Sequence, residues 1–232
     1  MNYKTSSYIS FFTLLFFCLF AFQACEEAAH PVVTQFEEMQ SHQQSLEFTQ
    51  LEPYLDARST KFVTDLFEAQ SVDDYLELGN RYNLPYFFAE YYRWNYDFPQ
   101  HANFENFISF LNLLQFSFFD LKYQFTPIEK QGKLRDNNYY LPVGYNFHSV
   151  NKLRWLRFND EGGKNYKYDL IYSLKQNENH IKELFDSNFT SKPDPRKPET
   201  FRMLYESLPL LQRDMKIEKM TFEEHRRQRE QG

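Results

Sequence analysis

The chain has 232 residues and a formal net charge of −6, so it lacks the excess of Lys and Arg that marks a nucleic-acid binder. Its 2 cysteines, Cys18 and Cys25, both lie near the N-terminus, which excludes a disulfide scaffold, a Cys-based metal site and a Cys nucleophile from the rest of the chain. Aromatic residues make up 19 %, with 26 Phe and 17 Tyr against 6 Gly, and this composition predicts a core built from rings.

Residues 1–7 are polar, with Lys4 as their one charged side chain, and an apolar run follows from Ile9 to Ala24. The run is interrupted by Ser10, Thr13 and Gln23 and falls short of the roughly 20 apolar residues that a membrane span requires. Its order of polar start and apolar stretch is that of an export signal. The end of the run, Phe22-Gln23-Ala24-Cys25, resembles the lipobox of bacterial lipoproteins, with Phe22 where that pattern has Leu and Gln23 where it has a small residue. The resemblance covers residues 1–27 and implies removal of residues 1–24 and acylation of Cys25. Glu26-Glu27 is similar to the acidic signals that route some lipoproteins to the outer face of the outer membrane. Several acyl chains, at about 0.8 kcal/mol per buried CH₂, hold a protein on a bilayer without spanning it. An uncleaved anchor helix and ordinary secretion are the alternatives. The expected organisation is a signal over 1–24, a lipidated tether over 25–34, an α+β domain over 35–186, and a Pro-rich connector with C-terminal helices over 187–232 packing on that domain.

From Gln35 the apolar spacing is loosely helical. Tyr54, Leu55, Phe62, Val63, Leu66 and Phe67 then recur at threes and fours, which predicts an amphipathic helix after Pro53. Ser71 with Asp74 predicts a capped helix over 72–78, ending at Gly79. Residues 86–98, YFFAEYYRWNYDF, fit a helical face as far as Tyr91; beyond it Tyr92, Trp94, Tyr96 and Phe98 alternate with polar residues, which predicts a strand closed by Pro99. Residues 103–121 return to helical spacing, with Asn103 as N-cap and an apolar surface over more than half the circumference.

Alternating runs at 152–158 and 166–174, separated by a Gly-containing loop, predict a β-hairpin. Leu153 and Trp155 share one face of its first strand; Tyr166, Tyr168, Leu170, Tyr172 and Leu174 share one face of its second. A further strand over 139–147 would complete an antiparallel sheet, with Pro142 and Gly144 marking a bulge or an edge. A short helix over 180–185, a connector over 187–200, a helix after Thr200 and a charged tail over 222–232 complete the reading.

No motif for catalysis emerges. The chain has no Gly-x-Ser-x-Gly elbow, no phosphate-cradling Gly-rich loop and no His-Glu-x-x-His, so neither a metal nor a cofactor is expected. The six His residues stand singly. Asp73-Asp74 reads as first-turn helix charge and Asp160-Glu161 as turn residues. Two aromatic groups are the ligand-binding candidates: Tyr92, Trp94 and Tyr96, and Trp155 with Tyr166, Tyr168 and Tyr172. They would form a shallow sugar-binding surface if one sheet face were open, or a core if helices covered it. The expected fold is α+β, with N-terminal helices packed on a small antiparallel sheet and C-terminal helices after the Pro-rich connector. The expected function is a non-enzymatic binding or assembly lipoprotein of a Gram-negative envelope, held at the outer membrane through Cys25 and engaging a glycan or another envelope protein, with no nucleic acid. A glycan- or polymer-acting envelope enzyme and an immunity-type lipoprotein that blocks a toxin are the alternatives.

Overall fold

A computed structural model describes residues 29–42, 48–97, 104–113, 125–147, 150–189, 191 and 194–207. The export signal, Cys25, the Asn103 cap, the second half of the 103–121 helix and the 222–232 tail lie outside these residues. The chain divides into two units, Met1–His30 and Pro31–Gly232, and the description concerns the second.

Helix α1, Pro31–His42, opens on a proline, whose fixed φ and missing N–H suit a first helical turn. It buries Val32, Val33, Phe36 and Met39, a helical stripe. A single turn, α2 (Phe48–Leu51), and a 3₁₀ turn, Glu52–Tyr54, lead to α3, Ala57–Glu68. Asp56 caps α3 by accepting the N–H of Ser59 at 2.6 Å, and Phe62, Val63 and Leu66 form its buried face.

Helix α4 spans Val72–Tyr82 and begins with the expected capping box: Ser71 Oγ accepts the Asp74 N–H at 3.1 Å and Asp74 Oδ2 accepts the Ser71 N–H at 2.8 Å. It does not stop at Gly79. The true stop is a Schellman motif around Asn83, which holds the left-handed conformation at φ 55°, while Leu84 N–H reaches back to Gly79 O at 2.9 Å. Gly79 serves close approach instead, because a Cβ there would lie 3.1 Å from Pro85 Cα at the start of the next helix.

That helix, α5, runs unbroken over Pro85–Asp97, so the strand expected beyond Tyr91 is helical. Alternation and helical spacing coexist in this segment, and burial decides between them. Phe87, Tyr91 and Trp94 fall on one helical face and pack against α6, Phe104–Leu113, while Phe88 beside them is buried against Phe62 and Tyr75. Tyr91 meets Phe110 edge-on with ring centroids 4.9 Å apart, and Trp94 meets Phe110 at 5.6 Å. Phe62 of α3 joins this ring core through Tyr82, Phe88 and Phe107, at 5.1, 5.7 and 6.2 Å. Tilted and edge-on pairs of this kind add about 0.5–1.5 kcal/mol each beyond area burial.

The sheet is antiparallel: β1 (Thr126–Pro127) and β2 (Lys133–Arg135) pair with one side of β3 (Asn138–Phe147), whose other side pairs with β4 (Val150–Asp160), followed by β5 (Tyr166–Tyr168). The β3–β4 register runs from Asn138↔Asn159 to Phe147↔Val150 without a bulge, so Pro142 and Gly144 occupy a central strand rather than an edge. Pro142 is accommodated because its carbonyl, which accepts from Ile128 N at 2.8 Å, marks the side where its missing N–H also points. There β3 exchanges β2 for β1, so no ladder donor is lost.

The second hairpin strand ends at Tyr168. Asp169 accepts the N–H of Tyr172 at 2.7 Å and starts α7, Leu170–Asn188, so the expected strand positions Leu170, Tyr172 and Leu174 are helical and the helix expected over 180–185 is the second half of α7. Leu170, Ile171, Leu174, Ile181 and Phe185 are its buried stripe. α7 lies along the edge of β4 that β5 leaves uncovered: Arg157 O accepts from Asp169 N and Trp155 O from Gln176 Nε2, each at 2.9 Å. Helix α8, Pro198–Ser207, follows a short connector and buries Phe201 and Leu204. With eight helices among the described residues around one small sheet, the fold is α+β.

Candidate functional site

Strand periodicity divides the sheet chemically. Tyr139, Leu141, Val143, Leu156, Phe158, Tyr166 and Tyr168 are buried on the core face. Tyr140 and Pro142 stand opposite Arg157 and Trp155 on the other face, and Lys133 stands opposite Tyr140. Tyr172, in the first turns of α7, rises beside this second face. Its ring meets Tyr140 edge-on at 5.8 Å, and the Arg157 guanidinium lies over it at 4.5 Å. Lys133 Nζ lies 5.2 Å over Trp155. Leu153, 53 % exposed, continues the row, so this is a half-open strip of rings and cations.

At Asn159, next on the same face of β4, the strip runs into a buried polar cluster. Asn159 Nδ2 donates to Asp56 Oδ2 at 2.5 Å and to Asp169 Oδ2 at 3.0 Å. Asp169 Oδ2 also receives Arg157 Nε at 2.9 Å and the ion-paired Arg157 Nη2. Ser59 Oγ accepts the N–H of Leu170 at 2.9 Å, and Asp56 N–H donates to Tyr168 O at 3.0 Å. The two aspartates thus cap α3 and α7 while one asparagine and one arginine tie both to β4. Burial pushes the Asp56 carboxyl up; the Ser59 bond opposes this, and the Asp169 carboxylate adds to it. Each of the four oxygens already accepts a hydrogen bond, so the pair is engaged in fastening two helices to the sheet. In the adjoining loop Asp160 takes the expected turn role, accepting from Gly162 N at 2.9 Å, whereas Glu161 reaches out of the loop to Ala57 N–H at 2.9 Å.

Of the rings singled out by sequence, Trp155 and Tyr172 come together on the strip. Tyr166 and Tyr168 face the opposite side: Tyr166 packs edge-on against Tyr139 at 6.2 Å, and Tyr168 is fully buried with its hydroxyl donating to Ser173 Oγ at 2.7 Å. Trp94 belongs to the ring core, with Tyr91 stacked 6.3 Å away. Tyr92 is half-buried, its ring 5.1 Å from Tyr75. Of Tyr96 only the helical backbone is described. Tyr140, Lys133 and Arg157 were not singled out, since only strand register aligns them with Trp155 and Tyr172.

Among the described residues no three His, Cys, Asp or Glu side chains are placed to hold a metal ion, and no helix is long and apolar enough to cross a membrane. No protein-family model, curated protein or solved structure matches this chain.

Proposed function

We propose that this chain is a lipid-anchored binding module of a bacterial envelope, tethered through Cys25, that engages a glycan on the strip formed by Trp155, Tyr172 and Tyr140. The observation that carries the binding surface is the placement of these rings beside Lys133, Arg157 and Gln176 on the half-open sheet face. Ring faces take the C–H face of a sugar, while the flanking donors reach its hydroxyls. The lipobox-like end of the apolar run supports the anchor. Strip and tether together support the reading of a binding surface tethered to a membrane.

Metabolic labelling with a fatty acid tests the anchor: label is expected on the wild type and absent from Cys25→Ser, and equal labelling overturns it. A glycan array probed with the detergent-solubilised full chain tests the strip. Binding that is lost in Trp155→Ala is expected; an array without hits, or hits that survive this substitution, overturn the glycan assignment, and release of cleaved product replaces it with an envelope enzyme.

A further inference from the structure

A second surface lies at the other side of α7. Pro85 and Tyr86 at the start of α5, one stripe of α7 (Lys175, Glu178, Lys182, Asp186) and the turn over 194–197 enclose a cleft of about 390 Å³. That volume falls within the range of small-molecule sites. Its walls are set by the fold. Glu178 accepts the Tyr86 N–H at 3.2 Å and pairs with Lys175, which also donates to Asn83 O at 2.5 Å. The Tyr86 ring rests 5.2 Å from Phe185. Burial, and then the carboxylates of Asp186, Asp194 and Glu178, push the Tyr86 phenol up, so it stays a neutral donor. The turn is closed by Asp194 Oδ1, which accepts the Arg196 N–H at 3.1 Å.

Three groups in this cleft are unspent. Among the described residues Asp186 Oδ1 is shut off from water and receives no hydrogen bond, so the carboxylate stands in the cleft wall without a donor of its own. Lys182 and Arg196 form no ion pair among the described residues. With Asp194, the cleft beyond the Lys175–Glu178 pair presents two cations and two carboxylates. A dianion would meet both carboxylates and a dication both cations, so the matching ligand carries one charge of each sign.

We propose that the cleft binds a small zwitterion of the amino-acid class, its carboxylate held by Lys182 and Arg196, its ammonium by Asp186, with the Tyr86 hydroxyl as a further donor. This goes beyond the glycan strip and shares no residue with it. The cleft has room for either a free amino acid or a short peptide.

Calorimetric titration of the full chain with glycine, L-alanine, D-alanine, the alanine dipeptide, N-acetylalanine and alanine amide tests this. Saturable binding of the zwitterions is expected, with each blocked form about tenfold weaker. Asp186→Asn, which keeps the side-chain shape, and Arg196→Ala, at an exposed position, should each weaken binding about tenfold. Tighter binding of the dipeptide than of alanine assigns a peptide, and the reverse a free amino acid. No saturable heat from any zwitterion, or unchanged affinity in both variants, overturns the proposal. Trp155→Ala is expected to leave this binding intact, so failure here and failure of the strip are read separately.

Discussion

Glu178 accepts the backbone N–H of Tyr86 at 3.2 Å across 92 residues of sequence, so α5 receives its N-terminal cap from the middle of α7. The residues around the α5 start, Asn83, Leu84 and Pro85, form the Schellman stop of α4 and then the first turn of α5, with no Ser, Thr or Asp next to the helix to cap it locally. A buried carboxylate from another element fills that role, and in doing so clamps α5 to α7.

Replacing Glu178 by Ala should therefore cost about 1–3 kcal/mol, because the first N–H groups of α5 lose their acceptor in a buried setting. Glu178→Gln keeps an acceptor oxygen and should cost less. Burial raises the Glu178 carboxyl above its ordinary 4.5, with Lys175 opposing. The folded protein thus binds more protons than the unfolded chain between 4.5 and the folded value, and this group's contribution falls as pH rises through that window. Urea unfolding followed by tryptophan fluorescence at several pH values should show a flatter decline above pH 4.5 in Glu178→Gln.

Asp65 carries the opposite sign. Burial alone would raise its carboxyl, but Lys61 Nζ at 2.8 Å, Tyr82 Oη at 2.7 Å and Arg81 Nη1 at 2.9 Å outweigh this and hold it below 3.8. Its stabilisation is present above 3.8 and is lost as pH falls through the lower folded value. Asp65→Asn should lower stability at neutral pH by about 1–3 kcal/mol and lose less on further acidification than the wild type. Acid titrations monitored by circular dichroism check both points.

Asn159 separates two carboxylates as well as bridging them. Asn159→Ala would leave Asp56 Oδ2 without its donor beside the Asp169 charge, raising the Asp56 carboxyl further. By the same linkage the loss should be larger at pH 7 than at pH 4, about 2 kcal/mol at neutral pH. Equal losses at the two pH values would show that the asparagine acts by packing alone.

Gly79→Ala should reverse the usual gain of an alanine inside a helix, about 1 kcal/mol. The new methyl would stand 3.1 Å from Pro85 Cα and 3.6 Å from Phe88 Cβ, and backbone cannot yield as a side-chain tip can. A net destabilisation of about 1 kcal/mol is expected, read from thermal unfolding. An increased Tm would show that the α4–α5 contact relaxes at little cost.

Elements whose signals are local were legible in the residue order: the Ser71–Asp74 box, the stripe of α3, the two strands meeting across the Gly162-Gly163 loop, and the α+β class itself. The misread elements have ends or faces that depend on distant partners. Tyr92, Trp94 and Tyr96 satisfy periods of two and of nearly four together, and burial of Phe87, Tyr91 and Trp94 against α6 selects the helix. Tyr166 and Tyr168 share a strand phase with Tyr172 in sequence, yet Asp169 turns the backbone into α7 between them, leaving the first two in the core and the third beside Arg157.

The sequence alone determines which segments bury apolar surface and where caps and turns punctuate them, because side-chain periodicity and local hydrogen bonding act within a few residues. Only the tertiary structure decided which rings stay accessible, because that follows from strand register and from α7 lying along β4. It also decided the pairing of Asp56 with Asp169 and of Glu178 with the start of α5, since a buried carboxylate needs donors wherever the chain brings them, and these donors come from remote elements.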